Sequence, residues 1–105
     1  MCHIVCHNFT WMFEWDDEKN RANIAKHGVS FELAARIFDG PVLTAPDSRA
    51  DYGEARYVSL GVVESVLLVV VHTDRHGSTR IISARRANRA ERRNYEEATR
   101  QGPDA

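Results

Sequence analysis

The chain has 105 residues, of which 43% are hydrophobic, and a formal net charge of −1. This length fits one domain with a modest core that needs no cross-links, and the total charge does not by itself indicate a nucleic-acid partner. The charge is uneven, because residues 1–74 carry six basic and eleven acidic side chains whereas residues 75–105 carry eight arginines and four acids. The basic half of the chain therefore comes last, and its distribution is more informative than the sum.

The two cysteines, Cys2 and Cys6, both lie near the start of the sequence. The body of the chain therefore has no disulfide framework, which is typical of a protein of the reducing cytoplasm. The first eleven residues lack the basic start and the long apolar core of a signal peptide. The apolar run 66–71 is far too short to span a bilayer. We therefore expect a soluble cytoplasmic protein without membrane contact.

Residues 1–11 precede the first patterned segment, so we expect a disordered leader outside the folded domain. The leader contains two Cys-His pairs with the ligand chemistry of a zinc site: Cys2, His3, Cys6 and His7. Their spacing is not that of a common zinc finger, and no second ligand pair lies close by. We expect a single domain over residues 12–100 with neither metal nor cofactor, followed by a tail at 101–105.

The first patterned segment predicts a short strand and two helices. Residues 13–15 have a strand pattern, and Asp16 is suited to capping the helix that follows. Gly28 is suited to the left-handed position at the end of that helix. Ser30 is the predicted N-cap of a second helix, which Gly40 ends. One face of this second helix carries apolar residues at helical spacing: Phe31, Ala34, Ala35 and Phe38.

The middle of the chain changes to the period of strands. Residues 42–44 predict a short strand, and 45–53 form a polar loop by composition. Three strand-like runs follow at 56–63, 66–73 and 79–85, separated by short turns. The second run is continuously apolar, as in a central strand covered on both faces. We predict an α+β domain in which the helices are segregated from an antiparallel meander of three to four strands.

The last patterned segment predicts a basic C-terminal helix. Asn88, with Glu91 three residues later, is the signature of a capping box at its start. Six arginines are closely spaced here: Arg80, Arg85, Arg86, Arg89, Arg92 and Arg93. If the helical turn begins early, Arg85, Arg89 and Arg93 fall at i,i+4 spacing, where like charges repel. Arginine binds phosphate with a planar bidentate fork, so the pattern favours a polyanion such as RNA, although high genomic GC content would also enrich arginine.

No nucleotide-binding loop, nucleophile elbow or closed metal-ligand set is present in the body of the sequence. The remaining polar candidates also have purely structural explanations. His27 can interact with the negative end of the first helix, and His72 can be satisfied by the backbone at a strand end. Arg56 and Glu54 can form a surface ion pair of little energy, and Tyr95 can anchor the last helix to the sheet.

Taken together, these residues suit an RNA-cleaving site that needs no metal ion. Such cleavage requires a base for the ribose 2′-hydroxyl, cations for the charge on the phosphorus oxygens and an acid for the leaving 5′-oxygen. Histidine can take either proton role, whereas arginine supplies positive charge. The alternative is a non-catalytic basic module that acts through a protein or nucleic-acid complex and binds with salt-dependent affinity.

From about residue 12 to residue 98 the chain resembles the BrnT family of bacterial ribonuclease toxins. The resemblance rests on three segments: FEWDDEKNRANIAKHGVSFELAARIFDGP, GEARYVSLG and LLVVVHTDRHGSTRIISARRANRAERRNYEEA. It implies a compact RelE-like fold and endoribonuclease cleavage that inhibits translation, as the toxin of a type II toxin–antitoxin system. It also implies a cognate antitoxin with a DNA-binding domain, through which alone the toxin would contact operator DNA.

The matching motifs carry the candidate site residues. The residues that we predict to be catalytic are His27, Arg56, His72, Arg80 and Arg85. The residues that we predict to bind RNA are Lys26, Arg86, Arg89, Arg93 and Tyr95. The three catalytic arginines are expected to bind the scissile phosphate, and either His72 or His27 is expected to transfer the proton.

Overall fold

The structure is a computed structural model that describes residues 2–7, 11–47, 53–75 and 77–100. Its elements in chain order are strand β1 (Cys2–His7), strand β2 (Trp11–Asp16), helix α1 (Asp17–His27), helix α2 (Phe31–Ala35), a 3-10 turn (Arg36–Asp39), strand β3 (Leu43–Pro46), strand β4 (Tyr57–Val63), strand β5 (Val66–Arg75), strand β6 (Ser78–Arg86) and helix α3 (Arg89–Arg100). The predicted α+β class and the C-terminal helix are confirmed.

The strands form a mixed sheet in the order β1-β2-β6-β5-β4-β3. Strands β3 to β6 pair antiparallel in sequence order, so the predicted meander is confirmed with β3 as its fourth strand. Strand β2 pairs parallel to β6, so the first strand of the domain lies beside the last one. The sequence patterns did not predict this pairing, because the period of a strand does not identify its neighbour.

The leader differs from the expected disordered segment. Strand β1 pairs antiparallel with β2, with Cys2 opposite Asp16 and His7 opposite Trp11. An edge strand offers unpaired backbone N–H and C=O groups, and any extended segment can pair with them whatever its side-chain pattern. Residues 8–10 and the predicted tail at 101–105 lie outside the described residues.

The predicted ends of the first helices are confirmed. The Asp16 side chain accepts hydrogen bonds from the backbone N–H of Glu18 and Lys19, and these bonds lower the pKa of its carboxyl. Gly28 closes α1 with a φ of 72°, in the left-handed region that favours glycine. The Ser30 hydroxyl accepts from the Leu33 N–H and caps α2. Helix α2 is shorter than predicted, because the 3-10 turn continues it.

The main core lies between the sheet and the first two helices, and we call this side of the sheet the helical face. Its largest fully buried side chains are Trp15, Phe13, Phe31, Ile37, Leu68 and Ile81. The buried Asn23 side chain joins α1 to β6, since its amide nitrogen donates to the Val29 and Ala84 carbonyls and its oxygen accepts from the Ala84 N–H. The helical layer is therefore fixed to the sheet by both apolar packing and buried hydrogen bonds.

Helix α3 packs against the opposite side of the sheet. Its buried Tyr95 contacts a second, smaller cluster that contains Leu67, Val69 and Ala87. The Tyr95 hydroxyl donates to the Pro41 carbonyl oxygen at 2.9 Å. Tyr95 is therefore an anchor between the last helix and the segment that leads into β3, as the structural explanation of this residue predicted.

Candidate functional site

Strand β6 contains a bulge that determines which arginines share a face. Across β5 and β6, Val71 pairs with Ser83 whereas His72 pairs with Ile81, so Ile82 is the extra residue. In a regular strand, Arg80 and Arg85 are five positions apart and point to opposite faces. The extra residue shifts the alternation by one position. Both arginines consequently lie on the side opposite the helical face, which we call the arginine face.

The register confirms this placement residue by residue. Arg80 pairs with Thr73 and Arg85 pairs with Val69. Thr73 and Val69 are four residues apart on β5, so their side chains share a face. The neighbouring residues Ile81 and Ala84 are buried in the core of the helical face. Arg80 and Arg85 are thus separated by about 15 Å along one face of the sheet.

A cleft of about 320 Å³ lies on the arginine face at the start of α3. It is lined by Pro46, Asp47, Val58, Val69, Val71, Ser83, Arg85 and Glu91. Its floor is apolar, and its charged side chains are one arginine and two carboxylates. Such a cleft can hold a charged group in a fixed orientation, because an apolar floor strengthens the electrostatic interactions above it.

The Arg85 guanidinium is held in this cleft by a bidentate ion pair. Its two terminal nitrogens donate to the two carboxylate oxygens of Glu91 at 2.9 and 2.7 Å. The Asn88 N–H also donates to Glu91, and the Glu91 N–H donates to the Asn88 side chain. The predicted capping box is therefore confirmed, and it fixes the carboxylate that orients Arg85. Hydrogen bonding to Arg85 holds the pKa of Glu91 below its usual range.

Arg80 and Arg56 lie farther along the arginine face, on either side of Thr73. Arg80 lies between Glu14 of β2 and Thr73 of β5, and its guanidinium is 3.9 Å from the Glu14 carboxylate. Arg56 directly precedes β4, whose pairing with β5 places it beside Thr73. The Arg56 side chain is 3.7 Å from the Glu54 carboxylate. Arg56 and Arg80 thus lie on two sides of Thr73, about 10 Å apart across the strands.

Two hydrogen bonds to backbone carbonyls connect the segment that contains Arg56 with the cleft and with β5. The Asp47 N–H donates to the Arg56 carbonyl at 2.8 Å, and the Thr73 hydroxyl donates to the Ala55 carbonyl at 2.6 Å. These bonds hold the end of the polar loop against β5. As a result, the three predicted catalytic arginines lie on one face, and each has a carboxylate within 4 Å.

His72 lies on the other side of the sheet from these arginines. It is 4% exposed, and its Nε2 is 2.8 Å from the Ser59 hydroxyl oxygen. The ring of Phe38 contacts it edge-on, with centroids 5.3 Å apart. Its Nδ1 is 3.6 Å from an Asp74 carboxylate oxygen, which is longer than a hydrogen bond. Burial lowers the pKa of His72, and Asp74 opposes this shift.

Lys26 and His27 form the last turn of α1, which packs on the helical face. The structure therefore does not bring either histidine together with the arginines. A single strand pattern could not reveal this separation, because it gives the alternation of side chains but not which face each set occupies.

The predicted row of helical arginines needs a correction. Arg85 belongs to β6, and α3 begins only at Arg89 because Asn88 caps it. The expected i,i+4 series from Arg85 through Arg93 is therefore wrong, and only Arg89 and Arg93 have that relationship. Within residues 2–7, 11–47, 53–75 and 77–100, six exposed guanidinium groups have no ion pair or hydrogen bond, and they belong to Arg21, Arg86, Arg89, Arg92, Arg93 and Arg100.

The sequence analysis missed two carboxylates of the cleft as site residues. Asp47 was visible only as part of a polar loop, and Glu91 only as a capping residue. The mixture of three acids and two arginines within residues 47–56 is the signal that could have drawn attention to paired charges. Asp47 is buried although it is a carboxylate, and this is seldom found without a specific role for the group.

Among the side chains that the structure describes, no three His, Cys, Asp or Glu residues converge as they would around a metal ion. The side chains of the four cysteines and histidines in the leader are not among the described ones. No helix in the described ranges has the length and apolar character needed to cross a membrane.

Comparison with known proteins gives one informative match. A family model described as the ribonuclease toxin, BrnT, of a type II toxin-antitoxin system matches residues 15–91. The match covers about three quarters of the chain, from β2 to the first turn of α3. It includes Arg56, Arg80 and Arg85, the arginines of the arginine face that lie near carboxylates, and it ends at Glu91. No protein among the curated ones matches the chain.

Proposed function

The chain belongs to the BrnT family of ribonuclease toxins of type II toxin–antitoxin systems, and we propose that it is a metal-independent endoribonuclease that inhibits translation. The observation that carries the proposal is that Arg56, Arg80 and Arg85 share one sheet face, on which Arg85 lines a cleft of about 320 Å³. By the resemblance of its sequence, the fold is RelE-like. The RNA lies along the arginine face in this proposal.

The arginines supply charge stabilisation. Glu91 binds the Arg85 fork through two oxygens, and two oxygens of an RNA phosphate have a similar arrangement. The Arg56 and Arg80 side chains are partly buried, with carboxylate oxygens of Glu54 and Glu14 at 3.7 and 3.9 Å, so some of their freedom is already restricted before a phosphate binds. Fixed positive charges of this kind favour the additional negative charge that develops on the phosphorus oxygens during cleavage.

Proton transfer is assigned to a group on the arginine face, since His27 and His72 lie on the other side of the sheet. Two carboxylates line the cleft, Asp47 and Glu91. Both oxygens of Glu91 already accept hydrogen bonds from Arg85, and one of them also accepts from the Asn88 N–H. Asp47 and Glu91 are both candidates for the base that takes the proton of the 2′-hydroxyl, because both line the cleft beside Arg85.

The proposal is tested by incubating the purified protein with defined RNA in EDTA and mapping the new ends. We expect fragments with 2′,3′-cyclic phosphate and 5′-hydroxyl ends. The double variant Arg80→Ala/Arg85→Ala should produce none while remaining folded. Arg21→Ala, at an exposed position of α1, is the matched control and should cut like the wild type. Cleavage by the double variant at the wild-type rate would contradict the assignment of the site.

The alternative is a non-catalytic binding module, and the unpaired arginines on and next to α3 favour it. Phosphate contacts alone give salt-dependent binding that is blind to sequence. In the same assay this alternative predicts intact RNA, with a mobility shift that salt abolishes. Addition of ribosomes distinguishes a module of this kind from a nuclease that cuts only translated RNA, because only the latter would then yield fragments.

Membership of a type II toxin–antitoxin family implies a cognate antitoxin as partner. We propose that this antitoxin carries a DNA-binding domain, covers the arginine-rich surface and alone makes the contacts with operator DNA. Covering the arginines would silence the toxin directly, and arginine is favoured at interface hot spots. A preformed complex that still cuts RNA at the full rate would contradict this part of the proposal.

A further inference from the structure

A second concave surface lies on the arginine face, at the other end of the strands from the cleft. This groove has a volume of about 460 Å³ between α3 and the β4–β5 hairpin. Its hairpin side contains Val62, Val66 and Leu67, and its helix side contains Arg92 and Tyr95. The cleft is also lined by residues of β4 and β5, Val58 and Val69, but these lie farther from the β4–β5 turn than the residues of the groove. The two depressions are thus distinct, and α3 borders both.

The hairpin side of the groove exposes apolar surface. The exposed fractions of Val62 and Val66 are 44% and 36%, and the turn Glu64–Ser65 lies between them. The residues that the structure describes include four large hydrophobic side chains with this degree of exposure, and two of them lie in this groove. Exposed aliphatic residues that line a concave surface favour a partner that covers them with apolar groups of its own.

The rim of the groove is basic. Arg86 and Arg92 line it, and within the described parts of the chain neither guanidinium has an ion pair or a hydrogen bond. Glu96 is the acidic residue of the lining. Arg89 and Arg93 extend the positive surface along the same helix. The occupant that complements this groove therefore carries both aliphatic side chains and carboxylates.

These properties favour a protein segment over RNA. Sequence-tolerant binding of single-stranded RNA relies on exposed aromatic rings on which bases stack. The aromatic residue of the groove, Tyr95, is buried, and its hydroxyl is bonded to the Pro41 carbonyl. RNA also offers no aliphatic side chains to cover the two valines. An acidic peptide with Val, Leu or Ile residues meets both requirements.

We propose that this groove is the docking site for an acidic segment of the cognate antitoxin, which packs aliphatic side chains on Val62 and Val66 and places carboxylates near Arg86 and Arg92. This inference rests on the chain being the toxin of its system, but not on its being a nuclease. It adds to the proposed function a defined surface for the antitoxin, separate from the cleft that holds Arg85.

The placement also connects docking with the cleft. Arg92 borders the groove and its chain neighbour Glu91 holds Arg85 in the cleft. An occupant of the groove therefore contacts the same helical turn that orients Arg85. The antitoxin can in this way remain bound beside the cleft while a continuation of its chain covers the arginine face.

The test is a titration of the toxin with the purified antitoxin encoded beside it, by calorimetry at several salt concentrations. The variants are Val62→Asp, which puts a negative charge in the groove, and Arg92→Glu, which reverses the rim charge. We expect each to weaken antitoxin binding at least tenfold and Arg92→Glu to reduce its salt dependence. The matched controls are Ile24→Asp and Arg21→Glu, at exposed positions of α1, and they should bind like the wild type.

RNA cleavage and circular dichroism are measured for the same proteins. Weaker antitoxin binding in both variants, together with RNA cleavage near the wild-type rate in Val62→Asp, supports the groove as the docking site. Weaker binding in a chain that cuts no RNA supports docking and refutes the nuclease instead. Wild-type antitoxin affinity in both folded variants overturns the proposal, and so does a loss of RNA binding with antitoxin affinity unchanged. If Val62→Asp does not fold, Val62→Ser replaces it.

Discussion

Seven arginines of this protein form two groups that differ in their surroundings. The sheet arginines, Arg56, Arg80 and Arg85, each lie within 4 Å of a carboxylate, and their side chains are 21%, 23% and 41% exposed. The arginines at the end of β6 and on α3, Arg86, Arg89, Arg92 and Arg93, which we call the helix arginines, are exposed, and within the described ranges their guanidinium groups have no such partner. The first group is paired and partly shielded from water, whereas the second is exposed to it.

Because of this difference, the two groups are suited to different functions. A fixed guanidinium in a partly dry setting can stabilise charge at one defined point, because neither orientation nor solvent reorganisation has to be supplied during the reaction. A solvated guanidinium acts over distance, attracts any polyanion or acidic partner, and is screened by salt over about 8 Å at physiological ionic strength. The number of arginines in a basic stretch therefore does not measure the size of the site.

The largest effect is expected when a sheet arginine is removed. Arg85→Ala should lower kcat/KM for RNA cleavage by about 100- to 1,000-fold, the usual cost of losing one fixed charge donor in an active site. Arg85→Lys should recover little of this, because lysine lacks the bidentate fork. Steady-state cleavage of a defined RNA measures both. Arg93→Ala is the matched control, and equal losses in Arg85→Ala and Arg93→Ala would remove the distinction between the groups.

His72 tests whether the two faces of the sheet are functionally separate. His72→Gln should lower the free energy of unfolding by about 1–3 kcal/mol, since it disturbs a buried hydrogen bond. It should reduce cleavage by less than tenfold, whereas loss of a proton-transfer group would cost about 100- to 10,000-fold. Chemical denaturation and cleavage rates are measured on the same samples. A loss of cleavage in that larger range, with the fold intact, would mean that His72 is a proton-transfer group of the active site.

The pH dependence of stability gives an independent test of the same residue. Burial lowers the pKa of His72 in the folded state, so the unfolded chain binds the proton more readily. The free energy of unfolding should therefore fall as the pH drops below the ordinary histidine value of about 6.5. In His72→Gln this part of the pH dependence should be absent. Denaturation midpoints between pH 5 and 8 measure it, and identical profiles for the two proteins would refute the burial effect.

Glu91 tests whether the rigidity of the sheet arginines matters. Glu91→Gln keeps a side chain that can complete the capping box but removes the charge opposite Arg85. We expect a stability loss of about 0.5–1 kcal/mol, because the pair is partly exposed to solvent. The pKa of Glu91 is lowered in the folded state, so its contribution is present above about pH 4.5 and is lost as the pH falls through the folded value. Urea denaturation at pH 7 and at pH 3 should show a larger difference between the proteins at pH 7 than at pH 3.

The smallest effect is expected for single helix arginines. Arg89→Ala and Arg93→Ala should each weaken RNA binding by a few-fold at low salt, equally for all sequences. Each should reduce the slope of log affinity against log salt by about 0.7, the value for one phosphate contact on a single strand. Fluorescence anisotropy over a salt series measures this slope. An unchanged slope in both variants would mean that these residues do not contact RNA.

Local chemistry made much of the fold predictable. Asp16, Ser30 and the Asn88–Glu91 pair cap the helices as expected, and Gly28 ends α1, because caps depend on interactions between residues only a few positions apart. The meander was predictable for a related reason, since short turns between strand-like runs leave antiparallel pairing as the simple solution. The pairing of the leader with β2 was not, because edge pairing depends on the backbone and not on side-chain pattern.

The candidate site was predictable in its residue types but not in its geometry. Arg56, Arg80 and Arg85 were identified from their motifs, and the structure places them on one face. Asp47 and Glu91 were missed, because what makes them site residues is their position beside Arg85 in the cleft. The two histidines were selected for their chemistry, and this choice could not account for a sheet standing between them and the arginines.

The sequence by itself determined the α+β class, the ends of the helices, the strands of the meander and the arginine-rich character of the last segment. Only the tertiary structure decided that β2 lies parallel to β6, that His72 faces the first helices, and that the bulge at Ile82 turns Arg80 and Arg85 to one side. The physical reason is the range of the interactions. Caps and strand periods arise from near neighbours, whereas the face and register of a strand are set by partners that the chain meets only when it folds.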